Sequence, residues 1–147
     1  MRLRIAGWAL VSLLAPAALG VGTVTVTTAD VGNGNTSYSL AWVSDAAGAV
    51  SGNSLTFKAG RILQVQFVPD GGGTAPTALY DVQLQDQYNV DILNDGTTAQ
   101  GDNLSATASK VVKWTAPFWV DAAGAFELVV AAAGNAKGGQ VIVTVGP

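Results

Sequence analysis

The chain contains neither cysteine nor histidine. Without cysteine there is no disulfide scaffold, thiolate nucleophile or sulfur ligand. Without histidine there is no imidazole to act as base or metal ligand. Ser-His and Cys-His catalytic pairs are excluded together with the zinc sites built from these residues. Charge is scarce as well: 12% of the 147 residues are Asp, Glu, Lys or Arg, about half of the ~25% usual in soluble domains. Seven Lys and Arg face ten Asp and Glu. The pairs Lys58 with Arg61 and Lys110 with Lys113 are too small to clamp a phosphate backbone, so nucleic acid is not an expected partner. A surface this poor in charge does little to repel its neighbours, and assembly becomes the leading idea.

What the chain does contain is 49% hydrophobic residues and 18 glycines, arranged with period two rather than in a helical stripe. Val24 and Val26 alternate with Thr23, Thr25 and Thr27; Tyr38, Leu40 and Trp42 alternate with Ser37, Ser39 and Ala41. Leu63, Val65 and Phe67 are expected on one face, with Gln64 and Gln66 pointing away. Tyr80, Val82 and Leu84 repeat the scheme. Further strands are predicted at Val90–Leu93, Lys110–Trp114, Ala125–Ala131 and Gln140–Val145. Eight or nine short strands separated by polar turns predict an all-β, single-domain β-sandwich or jelly roll. Trp42 and Trp114, on alternating strands, are expected in the core.

The turns carry their own signatures. Asp-Ala-Ala-Gly-Ala occurs at Asp45–Ala49 and again at Asp121–Ala125. An Asp that opens a turn accepts from its own backbone, and a glycine three residues on accepts the left-handed conformation, so tight hairpins are expected at both. A third is expected at Asp86-Gln87-Tyr88-Asn89.

The N-terminus has three readings. Arg2 and Arg4 precede an uncharged stretch from Ile5 to Ala29. It reads as a retained apolar arm, as a secretory signal with a small-x-small cleavage site at Ala15-Pro16-Ala17, or as a membrane anchor of about the ~20 residues needed. Gly7, Pro16, Gly20 and Gly22 and the strand-like Thr23–Thr28 argue against the anchor. The arm is the reading adopted, with residues 1–29 as arm and 30–147 as the β domain. Burying Trp8, Leu10, Leu13 and Leu14 against a neighbour would contribute on the order of 1.5–3 kcal/mol each before ordering costs. Phe118 and Trp119 join them as candidate assembly contacts, because adjacent aromatics on a strand point to opposite faces and one must look outward.

Catalytic, metal-binding and cofactor-binding residues are not expected. Asp70, Asp81, Asp86, Asp91, Asp95 and Asp102 fall between Ile62 and Ser109 without an intervening Lys or Arg. Their spacing fits no EF-hand loop, and most stand where turns begin. Glu127 is the one Glu, and with the Asp residues mostly at turns no carboxylate pair facing across a cleft is expected. Gly71-Gly72-Gly73 leads to Thr, Pro and a strand, with no phosphate-loop Lys.

Three strings together, Trp42–Gly52 (WVSDAAGAVSG), Val68–Gly96 (VPDGGGTAPTALYDVQLQDQYNVDILNDG) and Ala133–Val145 (AGNAKGGQVIVTV), resemble a family of small tailed-phage virion structural proteins of the capsid cement or decoration type. The resemblance runs from about Tyr38 to Val145 and leaves out the arm. It implies a non-enzymatic protein on the capsid surface, bound across capsomer joints to the major capsid protein and self-associating as a dimer or trimer. The other expectation is a secreted or periplasmic β-sandwich binding module with a cleaved signal, stacking glycans on Trp119 or Tyr88.

Overall fold

The structure, a computed structural model, describes residues 21–94, 98–120 and 124–147, and for 114–120 the backbone. Seven strands form within them: β1 Thr23–Gly32, β2 Asn35–Val43, β3 Gly60–Pro69, β4 Asp81–Gln85, β5 Lys110–Val120, β6 Glu127–Ala131 and β7 Gly138–Gly146. The only helical turn described is a 3-10 turn at Gly72–Thr74. The expected all-β sandwich is what forms. One sheet has five strands in the order β1-β2-β7-β3-β5, and β4 and β6 make the second. All pairings are antiparallel.

The layers meet along the residues whose alternation marked them. From the large sheet, β2 contributes Tyr38, Leu40 and Trp42, β3 Ile62, Val65 and Phe67, and β7 Val141, Val143 and Val145, all buried. The second layer answers with Tyr80, Val82 and Leu84 around β4, Leu128 and Val130 on β6, and Val50, Leu55, Phe57, Leu93 and Leu104 from the connecting segments. Isolated bridges Val50↔Val130 and Leu55↔Phe126 widen this layer beyond its two strands. The Phe57 ring links Tyr38, at 4.9 Å, to Phe126, at 5.1 Å. Trp42 lies 5.7 Å from Tyr80. Gly139 sits opposite Trp42 in β7, where a Cβ would come within 2.8 Å of the indole; the glycine is what lets the largest core side chain lie flat against the sheet.

Three expectations are corrected. Leu63 leaves the core face, because a register shift between Ile62 and Gln64 inserts it as an extra residue; Ile62 takes the buried place instead, as a bulge requires. Val90–Leu93 is not a strand. A single bridge, Gln85↔Asp91, is followed by a turn, because the Asp91 carboxylate folds back to accept from the N–H groups of Leu84 (3.1 Å) and Leu93 (3.0 Å). Finally, the boundary drawn between residues 29 and 30 falls inside β1: Thr23–Ala29 pair residue by residue with β2, from Thr23↔Val43 to Ala29↔Ser37.

The turn signatures are legible at atomic detail. Asp45 Oδ1 accepts from the N–H of Ala47 and of Ala49, both at 2.9 Å, while Gly48 N–H donates to Asp45 O. Asp86 does the same with Tyr88 (2.8 Å) and Val90 (3.0 Å), and Asn89 N–H donates to Asp86 O. The first turn is tight, yet it carries the chain from β2 of the large sheet to Val50 beside β6 in the small one. It is therefore a corner between layers rather than a hairpin. The repeat at Asp121–Ala123 lies outside the described residues.

Candidate functional site

The feature that stands apart from the core is β1. It pairs with β2 on one side and with nothing described on the other. Its burial pattern is exposed at nine of ten positions, Val24 being the exception. The second layer has too few strands to reach across the sheet: Leu40 on β2 is fully buried, while Val26 directly opposite on β1 is 43% exposed. Among the described residues, then, β1 runs past the second layer with one edge unpaired and, Val24 apart, both faces exposed. At ~3.3 Å per residue its ten residues run about 33 Å.

The outward face of the large sheet continues from it. Register places Thr25 and Thr27 on β1 beside Ala41 and Ser39, then Gln140 and Ile142 on β7, then Val68 and Gln66 on β3, and Val111 on β5. Ser39 Oγ donates to Gln140 Oε1 at 3.3 Å. Among these positions there is no charge; Lys113 and Arg61 come only toward the β5 side. Such a face is uncharged and hydrogen-bonding.

The ionisable side chains near the loops are engaged in holding the chain's shape. Asp30, Asp45, Asp81, Asp86 and Asp91 each accept at least one backbone N–H. Glu127 Oε1 accepts from Gly52 N–H at 2.5 Å. Lys137 and Lys110 donate to the carbonyls of Gly73 and Gln100, and Lys58 to that of Gly34. Among the described residues no group of three Asp or Glu converges as a cation site. Burial raises the Asp91 carboxyl above its ordinary value; the Leu93 and Leu84 N–H groups pull it down, and the charge of Asp102 adds a further push upward. The Tyr80 phenol is pushed up to about 12 by burial.

A second surface lies at the Asp86 turn. Tyr88, 74% exposed, stands at its tip. Beside it a cleft of about 200 Å³ is lined by Asn53, Ser54, Asp86, Gln87, Asn89, Ala125, Phe126 and Glu127. The Asn53 amide is committed to Leu128, donating to its carbonyl at 2.7 Å and accepting its N–H at 2.9 Å.

Of the assembly contacts expected from the sequence, Trp8, Leu10, Leu13 and Leu14 lie outside the described residues. Phe118 and Trp119 are on β5, opposite Ile62 and Arg61, so their backbone runs along the other edge of the large sheet; their side chains lie outside the described residues, as does that of Trp114. Trp42 is in the core as expected. The open β1 edge escaped the sequence reading because Thr23–Ala29 was grouped with the arm. The alternation of Thr and Val over Thr23–Thr27 marks the strand itself, and no local feature marks its open edge.

Among the described residues no helix is long and apolar enough to cross a membrane. Comparison with known proteins found no matching family model, no matching curated protein and no matching solved structure.

Proposed function

We propose that this chain is a non-enzymatic structural protein of a tailed-phage virion, a capsid cement or decoration protein that crosses capsomer joints and stabilises the shell. The observation that carries the assembly part is β1, a ten-residue strand that among the described residues is unpaired along one edge and exposed at every position but Val24. An open edge offers main-chain hydrogen bonds, and alternate side chains offer burial, which is how extended contacts between subunits are made. The uncharged outward face beside it removes the repulsion that keeps ordinary surfaces apart. The virion and its major capsid protein enter from the motif resemblance of Trp42–Gly52, Val68–Gly96 and Ala133–Val145. A shell holding packed double-stranded DNA gains from any subunit that ties its joints, and that task needs no reacting group.

Purified particles test the proposal. The protein is expected in them in stoichiometric amount by mass spectrometry, and particles lacking it are expected to release DNA at lower temperature. Particles free of the protein would overturn the reading.

The second reading, a secreted or periplasmic binding module, is favoured by one observation: Tyr88 exposed on a braced turn beside a polar cleft, an arrangement suited to stacking a sugar ring. Intact mass of the native protein separates the two. A chain shorter by about seventeen residues, as cleavage after Ala17 would leave it, favours secretion; the full chain favours the arm.

A further inference from the structure

Open edge strands are normally guarded by Lys, Pro, a bulge or short length, since their unpaired N–H and C=O groups recruit other strands. In β1, Thr23–Ala29 carries none of these guards. The one charge, Asp30, and the one irregularity, between Asp30 and Gly32, come after it. What the edge recruits is indicated by its order of residues. Thr23-Val24-Thr25-Val26-Thr27 reads the same in both directions, and an antiparallel pair of identical strands about a two-fold axis is the arrangement in which such a sequence meets itself.

We propose that β1 pairs with β1 of a second copy across a two-fold axis at Thr25, joining two five-stranded sheets into one of ten strands. In that register Thr23 faces Thr27 of the second copy, Val24 faces Val26, and Thr25 faces its own equivalent. Pairs of Thr with Thr and of β-branched residues are favourable cross-strand neighbours. The four valines come together on the side of the core, where Val26 is otherwise 43% exposed beside buried Leu40. The threonines come together on the uncharged outward face. Pairing extends to Gly22 against Thr28 and Val21 against Ala29, so Val21, an exposed apolar residue, gains a neighbour as well. The two Asp30 side chains fall at opposite ends, ten residues or about 34 Å apart, well past the ~8 Å screening length at physiological salt. The pairing stands independently of the virion reading, since it uses only β1.

Single cysteines test the register in a full-length chain that has none of its own. Thr25→Cys is expected to form a disulfide-linked dimer of twice 14.9 kDa on mild oxidation, because directly opposed antiparallel residues bring Cα atoms within bonding reach. Thr27→Cys alone is expected to remain uncross-linked and to cross-link when mixed with Thr23→Cys. Thr25→Lys sets two ammonium groups against each other at the axis. In sedimentation equilibrium it is expected to convert the dimer to monomer with unchanged far-UV circular dichroism. A full-length protein that is monomeric, or a dimer that persists in Thr25→Lys while Thr25→Cys fails to cross-link, would overturn the proposal and point to residues 1–20 or another partner at this edge.

Discussion

Gly48 and Asn89 hold the same place in two copies of one turn, with φ of 82° and 61°. Each is the third residue after an Asp whose Oδ1 collects two backbone N–H groups. They differ in surroundings. A Cβ on Gly48 would lie 2.6 Å from the backbone nitrogen of Gly134, whereas Asn89 stands on an exposed turn with room for its side chain.

The two positions therefore respond oppositely to exchange. Asn89→Gly is expected to be neutral or to stabilise by a few tenths of a kcal/mol, about the scale of relieving a left-handed non-glycine residue. Gly48→Asn is expected to cost about 1–3 kcal/mol, the scale of overpacking, because it pushes backbone against backbone at the corner between the sheets. Urea denaturation of both variants checks the contrast; equal effects would contradict it.

Ser44 is a buried polar residue between the layers. Its Oγ donates to Gly134 O at 2.6 Å and accepts from Lys137 N–H at 3.0 Å. Ser44→Ala leaves both backbone groups without that partner and is expected to cost about 1–3 kcal/mol. Chemical denaturation measures it, and hydrogen exchange at Lys137 is expected to quicken.

Asp91 links stability to acid pH. Its native carboxyl sits above the ordinary value because of burial, so the protonated form is favoured by folding. Stability held by the neutral acid is present below the unfolded value near 3.9 and lost as pH rises through the raised native one. Asp91→Asn keeps an oxygen for the N–H groups of Leu84 and Leu93 and removes the buried charge. It is expected to melt at or above the native temperature at pH 7, with the difference shrinking on acidification. Asp91→Ala loses both acceptors and is expected to cost about 1–3 kcal/mol. Thermal melts between pH 3 and 7 distinguish them; equal losses at pH 7 would contradict the assignment.

Tyr80 does the corresponding work at alkaline pH. With its phenol raised to about 12 by burial, the stability it holds is intact below pH 10 and lost as pH climbs through about 12. Tyr80→Phe is expected to unfold at higher pH than the native chain. Absorbance at 295 nm is expected to show a tyrosine ionisation that coincides with loss of the fold and is missing in Tyr80→Phe.

Alternation made β2, β4 and β7 readable from sequence, since each buries one face and a period of two has a single solution there. It failed at Leu63, where one inserted residue reverses the faces and no local feature of Ile62-Leu63-Gln64 announces it. It failed again at Val90–Leu93, whose apolar residues look strand-like until the Asp91 carboxylate competes for the backbone. The turn at Asp86 was legible because Asp and Asn each have a local reason to be there. The openness of β1 was not, because exposure there is decided by how far the second layer reaches, and nothing within Thr23–Gly32 encodes the extent of β4 and β6.

The position of β7 between β2 and β3 bears on how the protein is made. Of the seven described strands, residues 138–146 are made last, yet they form the middle of the sheet. Until they arrive, β2 and β3 have no common neighbour, and each presents an open edge to the cell. Closure must wait for contacts such as Thr36↔Val145, more than a hundred positions apart, which places this fold among those that assemble slowly and are most exposed to mispairing while they wait.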